Sequence, residues 1–313
     1  MEYISLVKPT KERAPSQYAK AAELGKRKSF LGLFSAHELA LIRDNFTLTT
    51  WLLLGACVQS LLFFYLPIGV SVAPAFVLLG LRIGDVLLMW SGVKHNHYMD
   101  GVIPGKTAVH FPDSHGKYTG DPANSEICVI VLAARSNHPL GMFAPGFKTA
   151  NDYFNANVVA LEASPEEHDL LGISSWVNAG DRAASSESMV IAYFKNVDYL
   201  HKFAHGTIHR KGWNWWNKTV EKHPYIGLMH EVYMVPKQNW EVFNVNYHPT
   251  GLAATSSSVV DQVAEKSSPT QTTSWFSPIV QAQKGRLRSS AGRMGRDGGA
   301  GNEKYNDDPY AAA

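Results

Sequence analysis

Three histidines, His201, His205 and His209, recur every four residues in the window YFKNVDYLHKFAHGTIHRKGWNWW, which runs from Tyr193 to Trp216. In one continuous helix such residues lie near a single face. A neutral imidazole accepts a proton near neutral pH and binds metals. Phe203, Trp213, Trp215 and Trp216 crowd the same window, and aromatic walls shelter a base from water and tune its pKa. A lone histidine is most often structural, so the set and its spacing carry the argument. His205 and His209 are the candidate bases, with His201, Phe203 and Trp213 lining the site. No metal centre is expected, because HxxxH here lacks the glutamate of the helical zinc motif. Asp198 is expected to help start the helix.

The run LMHEVYMV adds candidates, with His230 alternating onto the face of Leu228 and Val232 and Glu231 onto that of Met229 and Tyr233. In a central strand one of these two polar residues faces the covered side, so both are candidate catalytic groups. Trp176 and Asn178 share a strand face with Ser174, and Tyr193 shares one with Met189 and Ile191. These three are candidate substrate contacts. There is no GxSxG elbow, no phosphate-binding GxxxxGK[ST], no dinucleotide GxGxxG after a strand and no CxxCH haem attachment. The two cysteines, Cys57 and Cys128, sit among apolar residues. They read as inert, and two are too few for a disulfide-stapled scaffold.

Strands are expected over 126–134, 171–179, 188–195 and 225–235, with helices over 145–162 and from Val197 to about Lys222. The order β-α-β-β-α-β makes the fold class α+β and ferredoxin-like, over 126–252. Residues 93–125 are rich in turn formers and histidine and read as a connector. Residues 253–313 lose periodicity and read as a disordered tail. Within them KGRLRSSAGRMGR, residues 284–296, holds five basic residues and no acid. It reads either as a solvated charge run or as a contact for anionic lipid, with Ser289 and Ser290 open to phosphorylation.

Charged residues make up 18% of the 313, against about 25% in an average soluble chain. Much of the deficit lies in residues 47–92. TLTTWLLLGACVQSLLFFYL carries no charge over 47–66, and the apolar stretch 70–90 carries only Arg82 and Asp85, placed to neutralise each other. Each stretch is long enough to span a bilayer, and a membrane hairpin is expected over 47–92. The arm 1–46 has eight Lys/Arg against five acids, which by the positive-inside rule puts both ends in the cytosol. The expected location is a membrane, that of the endoplasmic reticulum, with the main domain facing the cytosol. A net charge of +2 gives no field for nucleic acid.

The stretches ESMVIAYFKNVDYLHKFAHGTIHRKGWNWWNK and HPYIGLMHEVYMVPKQNWEVFNVNYHPTGL resemble the fungal monooxygenase family that includes the polyketide monooxygenase of fumagillin biosynthesis. The resemblance covers about 90–252 and rests on FAHGTIHRKGW, the HEVY strand and WEVFNVNYHPTGL. It implies the dimeric α+β barrel of antibiotic-biosynthesis monooxygenases, in which two ferredoxin-like units pair sheet to sheet as a homodimer. It also implies oxidation of a small lipophilic substrate by O₂, with no metal or flavin and hence no cofactor. Haem enzymes share that barrel, so haem ligated by His205 or His209 is the chemical alternative. A non-catalytic binding or scaffold protein is the third reading.

Overall fold

The computed structural model describes residues 2–16, 43, 45–178, 187–263 and 270–297. Elements are numbered among these in chain order. α1 (Leu48–Tyr65) and α2 (Ile68–Trp90) precede β1 (Ile103–Val109). The central unit is β2 (Ile127–Ser136), α3 (Phe147–Ala163), β3 (Leu170–Val177), β4 (Ser188–Phe194), α4 (Val197–Ala204), α5 (Thr207–Thr219) and β5 (Ile226–Val235). β6 (Phe243–Tyr247), β7 (Ser257–Val263), β8 (Thr270–Phe276), β9 (Ile279–Gln281) and the short α6 (Ser290–Arg293) follow.

The β-branched runs pair as a four-stranded antiparallel sheet in the order β3-β4-β2-β5, the ferredoxin-like arrangement expected from the sequence. Cys128, Ile130 and Leu132 of β2 pair with Phe194, Ala192 and Val190 of β4 and with Met234, Val232 and His230 of β5. Directly paired residues point to one side, so this register defines the face that the helices cover. Val158 and Leu161 of α3 and Leu200 and Phe203 of α4 close over it in one core cluster. Each such side chain contributes about 1.5–3 kcal/mol by leaving water.

One end of the opposite face, around Ile127, Val129 and Tyr193, packs against a second sheet of order β6-β1-β9. This is where the expected boundaries change. Residues 93–125 contribute the central strand of that second sheet. The described residues 253–263 and 270–297 are not a disordered tail: β7 and β8 pair, β9 pairs with β1, and Trp275, Val280, Ala282 and Leu287 are buried. The N-terminal residues strap the outer side, through bridges Glu2 to Thr119, Ser5 to Val280 and Thr10 to Trp275. Tyr3 joins Tyr118, Val280 and Leu287 in a third cluster.

The basic run 284–296 is likewise bound within the fold. Arg286 pairs with Asp121 at 2.6 Å and with Asp297 at 2.5 Å. Arg293, 8% exposed, pairs with Glu241 at 2.5 Å and lies over the Phe243 ring. Ser290 donates to Glu241, and Ser289 Oγ accepts from Gly292 N as the cap of α6. These partners account for arginines and serines that the sequence alone assigns to lipid or to phosphorylation. Residues 17–42 of the basic arm and 298–313 lie outside the described residues.

α1 and α2 are long and apolar enough to cross a membrane, by length and composition. At 1.5 Å per residue they extend about 27 and 35 Å. Thr47 starts α1, its Oγ1 accepting from Thr50 N at 3.0 Å. Leu66 ends it because the following Pro67 excludes helical geometry there. Almost the whole surface of both helices is free of contact with the rest of the protein, the only buried residues being Ser71 and Met89. Asp85 is paired with Lys94 just past α2, not with Arg82.

Candidate active site

The long helix expected from Val197 to Lys222 is broken. Asn196, not Asp198, caps α4, its Oδ1 accepting from Asp198 N and Tyr199 N. α4 ends at His205, and Gly206 is extended (φ −68°, ψ 159°) before α5 begins. A Cβ on Gly206 would stand 2.9 Å from the Phe203 carbonyl oxygen, so the corner requires glycine. The break removes the shared helical face that the spacing of the three histidines implies.

The corner builds a different constellation. His209 Nδ1 stands 2.8 Å from the Ala204 carbonyl oxygen. A carbonyl only accepts, so Nδ1 carries the proton and Nε2 the lone pair. Phe203 lies 5.9 Å from the His209 ring and Trp213 6.2 Å from it on the next turn. His168, in the turn before β3, meets Phe203 edge-on at 5.4 Å. The result is an aromatic file, His168, Phe203, His209 and Trp213, on the helix-covered side of the sheet. Burial holds the His209 pKa below the ordinary imidazole value, and nearby His205 and His230 add to that lowering. His209 is therefore neutral at neutral pH with a basic nitrogen available.

The other predicted residues divide. His230 lies on the helix-covered face, and His201 meets His205 edge-on at 6.5 Å. His201, His205 and His230 are exposed. Glu231 projects from the opposite face, where it accepts a hydrogen bond from Tyr233 Oη. Trp176 is on that opposite face too, donating to Ser174 Oγ at 3.0 Å, and Asn178 at the strand end donates to Glu187 at 2.9 Å. Tyr193 packs between the two sheets, and burial raises its pKa. The sheet thus separates Trp176, Tyr193 and Glu231 from the histidines. His168 was not singled out from sequence; burial lowers its pKa, and its Nδ1 has no hydrogen-bond partner. Its only sequence signal is a histidine in the polar turn EEHD. Among the described residues no group of three or more His, Cys, Asp or Glu is placed to hold a metal ion.

Residues 127–252, the elements just described, match the family model described as monooxygenase af470-like. That segment is similar to the monooxygenase af470-like domain. A curated relative, monooxygenase af470 of Aspergillus fumigatus, is 28% identical over 255 residues, covering 81% of this chain and 89% of its own. This match extends well beyond the domain. Among solved structures, an aldoxime dehydratase crystallised with butyraldoxime aligns with TM-score 0.36 and 13% identity, over 48% of this chain and 39% of that one. A protein of Deinococcus radiodurans assigned to the antibiotic biosynthesis monooxygenases aligns with TM-score 0.23 and 13% identity, over 34% of this chain and 89% of that one. Likenesses of that extent say nothing about activity.

Proposed function

We propose that the protein is a membrane-associated monooxygenase that uses O₂ to oxidise a lipophilic polyketide or terpenoid intermediate in fungal secondary metabolism. The observation that carries this reading is the neutral, sheltered His209 within the very segment that matches the monooxygenase family. The reaction is written without metal or flavin. His209 Nε2 removes a proton from an acidic C–H of the substrate. The carbanion passes one electron to O₂, and recombination of the two radicals forms a C–O bond. Loss of water from the hydroperoxide then leaves a carbonyl. A CH₂ group thus becomes C=O, one oxygen atom entering the product and the other leaving as water. The rings of buried Phe203 and half-exposed Trp213 suit a delocalised anion. His205, His230 and His201 are assigned supporting positions at the rim.

The membrane assignment rests on the length and exposure of α1 and α2, the basic arm supports a cytosolic domain, and the endoplasmic reticulum is the membrane proposed. A homodimer is assigned to the open part of the sheet face, where Trp176, Met229 and Tyr233 are exposed. Glu231 and Trp176 then belong to that interface or to a site it completes.

The haem reading keeps one favourable observation. With Nδ1 held by a carbonyl, His209 has the donor arrangement of a haem ligand. His209, with Phe203 and Trp213 beside it, would hold the haem, which would supply O₂ or substrate activation. An absorption spectrum of the purified protein separates the readings, because a Soret band overturns the cofactor-free mechanism. The function is tested by comparing metabolites of a deletion strain with its parent, and then supplying the accumulated compound with O₂ to the protein. The expected result is oxidation by the parent protein and loss of turnover in His209→Ala. Full turnover by a folded His209→Ala variant refutes the assignment of the base, and no accumulated compound favours a non-catalytic protein.

A further inference from the structure

Asn45, three residues before the first residue of α1, accepts a hydrogen bond at its Oδ1 from Met142 N at 3.0 Å. The contact is close enough that a Cβ on Gly141, whose φ is +56°, would overlap Asn45. Three residues of chain reach about 10 Å at most. The start of α1 is therefore tied to the turn 137–146 between β2 and α3.

The strand register shows what else lies at this end of the domain. β2 ends there, β3 ends there, and β4 and β5 begin there, through the pairs Ser136 to Ile226, Ala134 to Ser188 and Val177 to Ser188. α3 begins at the same end and α5 finishes at it. Leu140 and Phe143 are each 56% exposed, Leu228 is 50% exposed, and Val177 and Val220 are exposed beside them. The turn is also joined to α5. Tyr225 Oη donates to Pro145 O at 2.8 Å, and Trp215 stacks on His223, which meets Tyr225.

We propose that this end of the domain is a bilayer-docking surface, with Leu140 and Phe143 inserted at the level of the lipid headgroups. The inference rests on the membrane reading of α1 and α2. It adds that the domain sits directly on the bilayer rather than hanging free of it. The occupant is the bilayer because the tether leaves no room for a soluble domain between this end and the mouth of α1. His209 then lies about 10 Å above the membrane-proximal Trp216, seven residues on along α5, so an apolar substrate leaving the lipid meets the aromatic file without crossing bulk water.

The test uses the full chain in liposomes with bromine-labelled acyl chains, and a fluorophore on single cysteines. Cys57 is exposed on α1 and Cys128 is buried, so labelled native protein reports on the hairpin. Phe143→Cys and Leu140→Cys in a Cys57→Ser background report on the turn, and Lys237→Cys reports on the opposite end of the sheet. Expected is a loss of about half the fluorescence at Cys57, Phe143→Cys and Leu140→Cys, as for side chains at or below the headgroups, and little loss at Lys237→Cys. Quenching at Cys57 with none at either turn position overturns the docking surface and leaves the membrane reading standing. Shielding of the turn from aqueous thiol reagents without quenching assigns it to a protein contact and also overturns the proposal. No quenching at Cys57 removes the membrane reading, and the proposal with it.

Discussion

Replacing Arg13 by methionine tests whether the N-terminal arm belongs to the folded domain. Its guanidinium pairs with Glu162 at 3.2 Å and donates to the carbonyls of Leu170 at 3.2 Å and Leu171 at 3.1 Å. It also lies 5.5 Å above the Trp275 ring. The side chains of Arg13 and Glu162 are 10% and 17% exposed. Methionine keeps the apolar stem but strands a largely buried carboxylate and removes a donor from two strand-start carbonyls, of which Leu171 O keeps its bond from Ser256 N. Breaking a buried pair from one side costs about 3–5 kcal/mol. Arg13 Nε and Glu162 Oε1 already lack partners, and Glu162 retains some water access, so the loss falls at the lower figure, about 3 kcal/mol. For a domain of this size that is a fall in Tm of roughly 6–12 °C. Glu162→Gln in the same background removes the stranded charge and restores about 1–2 kcal/mol of it. The assay is thermal unfolding of the full chain in detergent, followed by tryptophan emission, to which Trp275 contributes directly. An Arg13→Met variant that unfolds within about 2 °C of the parent refutes the claim that Arg13 holds the β7–β8 hairpin, α3 and the start of β3 together.

Three further outcomes are expected. The acid limb of kcat/KM lies below the ordinary imidazole value, because burial lowers the pKa of His209; activity is kept near neutrality and lost as pH falls through that lowered value, and an acid limb above about 7 excludes His209 as the base. Gly206→Ala, whose Cβ meets the Phe203 carbonyl oxygen at 2.9 Å, opens the corner between α4 and α5; turnover drops by about 10²-fold with a stability loss of only about 1 kcal/mol, and unchanged turnover shows that the corner does not set the site. His110, fully buried with Nε2 bonded to Thr119 O and its pKa lowered by burial, binds a proton more readily in the unfolded chain, so stability is full above about pH 6.5 and declines as pH falls below it; His110→Phe flattens that decline in Tm against pH, and an unaltered slope refutes the assignment.

The central unit is legible in the sequence because its signals are local. EICVIVLAA and SMVIAYFK are runs of β-branched and aromatic residues at strand length, and the helices between them carry apolar periodicity. The last third is not legible, because its order is held from a distance. β7 and β8 are written in Ser, Thr, Val and Gln, a composition shared by strands and by flexible tails. What decides between the two is that β7 and β8 pair with each other, that Thr10 of the N-terminal arm bridges to Trp275 of β8, and that β9 just beyond pairs with β1, about 170 residues away along the chain. The same holds for charge. KGRLRSSAGRMGR looks like a free basic run until Arg286 is seen against Asp121, 165 residues away, and Arg293 against Glu241, 52 away. At the site, histidine spacing overstated regularity. Gly206 carried the corrective signal, since glycine disfavours a helix interior and permits the close approach that ends α4. His168 had no signal beyond its residue type, because its partner Phe203 is 35 residues away.

The placement of charge bears on how the domain meets a membrane. Arg286 and Arg293 lie beside Asp121 and Glu241, which flank the start of β2 and the end of β5. That is the end of the sheet remote from the turn 137–146. The near end instead presents Leu140, Phe143 and Leu228. Under the proposed docking the basic run would lie at the end away from the bilayer, where Arg286 and Arg293 are paired with carboxylates within the fold. The docking attraction then comes from apolar area, which salt does not screen, rather than from lysine and arginine over anionic lipid, whose pull falls off within a Debye length. A surface of this kind discriminates little between anionic and neutral headgroups. It suits the proposed arrangement, in which the hydrogen bond at Asn45 ties the turn 137–146 to the start of α1.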